Sequence, residues 1–254
     1  MSNAYREFEF DLPAALLSRL VEILDAMNSA PLNQMGLDGV PEAQGVYQLF
    51  HGDQLVYIGK TDSEAGLRRR LERHALKIQH RVGLDPGRVT YKAVRIFVFT
   101  AIDLETQLIA HYARAGGSAW NNSGFGANDP GRKRDHTKIK AINFDALFPI
   151  DLDRPLESTF NDCTTAAQAL ARLKLELPYN IRFENDGLSP RRPHPDLAQT
   201  PVDLSAVVAT TRSIVTKVTQ TLPSGWQATA LRSHLLLYKE VDGTYPDAEI
   251  LART

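Results

Sequence analysis

At 254 residues the chain is long enough for one large domain or two small ones, and 43% hydrophobic with 23% charged residues is an ordinary globular balance. A formal net charge of -1 gives no global attraction to a polyanion, so any such signal must be local. The single cysteine, Cys163, excludes an internal disulfide framework and sets up no metal cluster by itself. The N-terminal MSNAYREFEF has no signal pattern, and no run nears the ~18 apolar residues of a membrane span, so a soluble cytoplasmic protein is expected.

Leu12 to Met27 carries apolar residues at helical spacing, with Pro13 suited to the first turn. A loop containing Pro31, Gly36, Gly39 and Pro41 follows. Residues 45–50 (GVYQLF) and 55–59 (LVYIG), joined by HGDQ, read as a β-hairpin. Residues 64–82 read as a helix and 89–100 (VTYKAVRIFVFT) as a third strand. Asp103 is placed to cap a helix that ends near Gly116. A Gly- and Asn-rich loop, WNNSGFGANDPGRKRDHTKIK, comes next. Beyond it, 160–174 reads as helix, 176–184 as strand, 186–201 as a Pro-rich loop and 203–221 as an amphipathic helix. Residues 226–240 read as a strand or a pair of short strands.

This order predicts an α+β fold: a small three-stranded antiparallel sheet flanked by helices, followed by a smaller α/β unit. The division expected is an N-terminal helical arm, 1–44, a core, 45–150, and a C-terminal unit, 151–254, for DNA recognition, dimerisation or partner binding.

Five elements stand in sequence: Gly45-Val46-Tyr47, Tyr57-Ile58-Gly59, Arg70-Leu71-Glu72-Arg73-His74, Glu105 within LETQLI, and Asn121 after Trp120. In this order they resemble the motifs of the GIY-YIG nuclease superfamily over about residues 45–135. Together with WNNSGFGANDPGR, the R-L-x-x-H element looks most like the type II restriction endonucleases of that superfamily. The chain is compact between Gly59 and Arg70, where those enzymes can carry insertions, and residues after about 150 lie outside the resemblance. The resemblance implies a metal-dependent DNA endonuclease, of restriction type, cutting duplex DNA and working as a homodimer or by successive nicks. A structure-specific or single-strand nuclease is the alternative within the enzymes. A catalytically silent nucleic-acid-binding module of a defence complex is the alternative outside them.

Phosphodiester hydrolysis needs an activated water, a cation on the developing charge and protonation of the leaving oxygen. Glu105 is the expected carboxylate on a magnesium (or manganese) ion that keeps several waters. Arg70 is suited to hold the scissile phosphate through paired hydrogen bonds. Tyr47 is the expected general base, with Lys60 and His74 placed to lower its pKa from the ordinary value of about 10. Tyr57 would orient water or phosphate. Asn121, or its neighbour Asn122, would position the loop or a phosphate oxygen.

Each residue also has a plainer reading. Tyrosines in strands usually pack, an arginine run is usually a solvated helix face, a lone histidine is more often structural, and an acid at a helix start suits the dipole. Local charge adds a DNA signal. Lys60 to Lys92 holds nine Lys/Arg against four Asp/Glu, and Arg132 to Lys140 holds five against one. Arg68, Arg69, Arg73, Arg132, Lys133, Arg134 and Lys138 are therefore the expected phosphate contacts.

Overall fold

The computed structural model describes the chain apart from residues 1–3, 5, 10, 62–63, 98–103, 115, 128, 130 and 190–191. It divides into two units, 1–75 with 85–122 and 76–84 with 123–254. The second is the larger, so the boundary expected near 151 falls inside it, and residues 1–44 belong to the first unit. Asp103 and the expected end of the third strand at 98–100 lie outside the described residues. Among the described residues, no helix is long and apolar enough to cross a membrane.

In the first unit, α1 (Leu12–Ala26) starts where the Asp11 carboxylate accepts the Ala14 N–H at 3.0 Å. β1 (Ala30–Pro31) follows, then β2 (Gly45–His51) and β3 (Gln54–Thr61), paired as the expected hairpin. Gly52, first of the two turn residues, has φ +60°, a conformation open to glycine at no steric cost. α2 (Leu67–Lys77) is shorter than its expected span because positive-φ residues bracket it, Gly66 before and His80 after. β4 (Val89–Arg95) and α3 (Leu104–Ala113) complete the unit.

The sheet is antiparallel with order β1-β4-β2-β3, four strands rather than the expected three. The added strand pairs only Ala30 with Tyr91 and Pro31 with Thr90. Two residues are too few to show alternation, and proline, lacking an N–H, fits only at a sheet edge. Leu20 and Leu24 of α1 and Leu104 and Leu108 of α3 bury Val46 and Ile58 on one sheet face. The period of two then turns Tyr47, Tyr57 and Gly59 to the other face.

The second unit contains α4 (Phe144–Leu147), α5 (Ala166–Glu176), β5 (Asn180–Phe183), α6 (Pro195–Gln199), α7 (Thr211–Thr221), β6 (Trp226–Ala230), β7 (His234–Lys239) and β8 (Glu249–Arg253). Its four-stranded sheet has order β5-β7-β6-β8, with β5 and β7 parallel and the other pairs antiparallel. Leu170 and Leu173 of α5 and Ile214 and Val218 of α7 close a core over Trp226, Leu235 and Leu237. Thr165 and Thr210 cap the two helices, their hydroxyls accepting from Gln168 and Ser213 N–H.

Candidate active site

Tyr47 on β2 lies directly across from Gly59 on β3. A Cβ at position 59 would overlap the Tyr47 hydroxyl and ring, so the glycine of the Y-I-G triplet makes room for the phenol of the G-V-Y triplet. Gly59→Ala is therefore expected to cost about 1–3 kcal/mol by overpacking, read as a lowered Tm. An unchanged Tm would show that the ring moves aside freely.

Two motifs meet at the Tyr47 hydroxyl. His74 Nε2 lies 2.8 Å from it, and Arg70 Nε donates to it at 3.3 Å. Both partners come from one face of α2, four residues apart. Arginine has no acceptor, so Arg70 occupies a lone pair of the phenol. With His74 in the tautomer that accepts at Nε2, the phenolic proton points at the imidazole. Tyr57 completes the cluster, its ring centroid 6.0 Å from that of Tyr47 and 5.3 Å from that of His74, edge-on to the latter. Tyr47 is 0% exposed and Tyr57 5%. Burial, followed by the nearby Tyr57, pushes the Tyr47 pKa well above the ordinary tyrosine value and outweighs the opposing pull of Arg70.

Lys60 and Glu105 form a second pair. The Lys60 ammonium lies 3.8 Å from a Glu105 carboxylate oxygen, with side chains 43% and 27% exposed. Lys60 thus has a carboxylate partner, and the direct cationic neighbour of Tyr47 is Arg70. Among the described residues no group of three or more His, Cys, Asp or Glu is arranged to hold a metal ion. A single, partly exposed carboxylate nevertheless fits a hard cation that keeps its waters and takes further oxygens from phosphate.

Asn121 closes the edge of the hairpin. Its Oδ1 accepts the Ile58 N–H at 2.9 Å and its Nδ2 donates to the Ile58 carbonyl at 2.7 Å. Trp120 N–H donates to the Val56 carbonyl and Ser118 N–H to that of Leu55, so a turn at residues 118–121, closed by the Asn121 N–H on the Ser118 carbonyl, docks on the edge strand. Both polar atoms of the amide hold backbone between Tyr57 and Gly59. Of the two roles expected for Asn121, the geometry matches positioning of the loop.

No protein-family model matches this chain, and no curated protein does.

The expected phosphate contacts separate by environment. On α2, Arg68 pairs with Glu72 at 3.0 Å, while Arg69 and Arg73 are exposed. In the second unit Arg132 bonds Glu184 at 3.1 Å and covers the Tyr238 ring, and Lys133 and Lys138 are exposed. Arg134 is different: its side chain is 19% exposed, ion-paired with buried Asp145, and donates to the Ser233 hydroxyl at 3.1 Å. An arginine so committed is an internal strut, which corrects its expected place among the DNA contacts.

Two buried carboxylates, Asp135 and Asp145, had no sequence signal. Asp135 receives Arg182, His234 at 2.8 Å and Tyr238 at 3.2 Å. Asp145 receives Arg81 at 2.9 Å as well as Arg134. The partners lie 47 to 103 positions from Asp135, beyond any local pattern. The nearest hint is a charged or titratable residue inside an apolar strand, as Arg182 and His234 are.

Burial and then Arg182 lower the His234 pKa, with Arg134 adding and Asp135 opposing. A depressed histidine pKa means that, below the ordinary value of about 6.5, the unfolded chain takes up a proton the folded one refuses. The second unit is therefore expected to lose stability as pH falls below about 6.5. Hydrogen exchange of β7 amides at neutral and mildly acidic pH measures this, and equal protection at both would contradict it.

Proposed function

We propose that this chain is a metal-dependent DNA endonuclease of the GIY-YIG type, a restriction-type cutter of duplex DNA in a cellular defence role. One convergence carries the reading: Tyr47 from one motif and Arg70 and His74 from another, 23 and 27 residues on, meet at a single phenolic oxygen. Packing alone requires neither a guanidinium nor an imidazole at that atom.

In this reading Arg70 binds the scissile phosphate, and Tyr57 orients water or phosphate beside it. Tyr47 takes a proton from the attacking water while His74 accepts the phenolic proton, because the buried phenol does not ionise unaided. Glu105 would hold magnesium or manganese, which when bound stabilises the developing charge. Lys60 neutralises the carboxylate before the cation arrives. Asn121 keeps the β3 edge in register, so that Tyr57 and Gly59 stay on the reacting face. One such site cuts one strand, so duplex cleavage calls for a homodimer or two successive nicks.

The full burial of Tyr47 favours a second reading, a catalytically silent nucleic-acid-binding module. Incubation with supercoiled plasmid, linear duplex and single-stranded DNA, with magnesium, manganese or chelator, separates the two. Discrete, metal-dependent duplex fragments are expected. Random nicks or preference for single strands would indicate the structure-specific or single-strand alternative. Binding without cleavage would leave the silent module standing.

A further inference from the structure

Residues 131–140 are basic in sequence, yet their charges are sorted by the fold of the second unit. Asp129 accepts both Arg182, at 2.6 and 2.7 Å, and Asn180, at 2.7 Å, just before the run. Within it, buried Asp135 is tied to β5 through Arg182 and to β7 through His234 and Tyr238. The His136 ring stacks on Tyr245 at 5.0 Å. Arg134 turns inward to Asp145 and Ser233. The only acidic residue of the run is thus neutralised internally, one of its five cations, Arg134, is withdrawn, and a second, Arg132, pairs with Glu184 at 3.1 Å. Lys133, Lys138 and Lys140 remain exposed, and among the described residues none has an ion-pair partner.

We propose that residues 131–140 form a preorganised clamp for the DNA phosphate backbone, with Lys133, Lys138 and Lys140 as phosphate contacts and Arg134 and Asp135 as the struts that hold them. The proposal rests on the nuclease reading for its choice of partner. It assigns the second unit a part in substrate capture. Flexible lysines gain little from pairing because ordering them is costly, and mounting their backbone on a buried ionic hub removes part of that cost before DNA arrives. It also means that the five basic residues of the run do different work: Lys133, Lys138 and Lys140 face phosphate, Arg134 is a strut and Arg132 pairs with Glu184.

Each phosphate contact contributes about 0.9 to the slope of log affinity against log salt. The test is fluorescence anisotropy on a mixed-sequence duplex of roughly 30 base pairs, in chelator, across about 50 to 200 mM salt. The full chain with Lys133, Lys138 and Lys140 all changed to Gln is expected to lose about two to three units of slope. Those substitutions are at the surface and leave the hub intact. Arg134→Gln, folded as judged by circular dichroism, is expected to keep the parent slope and show a lowered Tm. A triple variant with the parent's slope, or a folded Arg134→Gln lacking a unit of it, would overturn the proposal. So would a parent chain with no salt-dependent binding. If that parent still cleaves plasmid, the clamp alone falls and the nuclease reading stands.

Discussion

Glu105→Ala is expected to lower metal-dependent cleavage by at least about a thousandfold, while metal-free DNA affinity stays within about threefold of the parent. The size follows from what one carboxylate must do. Metal-assisted charge stabilisation is worth several kcal/mol, and about 4 kcal/mol is a factor of a thousand in rate. Glu105 stands in the first turn of α3, and no cluster of further acids or histidines among the described residues is arranged to take over. Removing it also releases the Lys60 ammonium from its partner 3.8 Å away, so electrostatic attraction for DNA does not fall. Single-turnover cleavage beside metal-free anisotropy gives both numbers. A variant that cuts at the parental rate would remove Glu105 from the metal site.

Tyr47→Phe is expected to cost about a thousandfold in cleavage, within the usual range for loss of a general base. The ring and its seat over Gly59 are retained, so packing is preserved. What disappears is the oxygen shared by Arg70 and His74. Leaving those two groups without it costs about 1–3 kcal/mol, and the variant should remain folded. The raised Tyr47 pKa also makes two statements about pH. Cleavage should not follow ionisation of a free tyrosine near pH 10, because the phenol stays protonated and passes its proton to His74. Stability should fall as pH rises past about 10, because the unfolded chain gives up this proton before the folded one does. A fully active Phe variant would leave Tyr47 as a wall of the sheet.

α1 was legible because its apolar residues repeat a helical period, the hairpin of β2 and β3 because of its turn residues, and the helix of Glu105 because of the cap and glycine that bound it. β1 was not, since a two-residue strand has no period and exists only because β4 offers an edge. The second unit was misjudged at its start for a related reason. Asp135, inside the Gly- and Asn-rich loop, and Asp145, just beyond it, are joined to β7 and to Arg81 by contacts that no window of sequence contains. Glycine 59 could be recognised as part of a triplet, whereas its need to accommodate the Tyr47 ring required the register. Arg134 and Lys133 look alike as neighbours in RKRDH, and only burial tells them apart.

The chain passes from one unit to the other three times, after residues 75, 84 and 122. Synthesis runs from the N-terminus, and domains generally fold as units. The first unit can close once residue 122 has emerged, but the segment 76–84 must wait, with Arg81 lacking Asp145 until that residue follows and the sheet incomplete until β8 arrives. Gene exchange meets the same obstacle. A single crossover near residue 150 would separate the Asp135 loop from the strands that anchor it, so neither unit can be traded between proteins as a one-piece cassette.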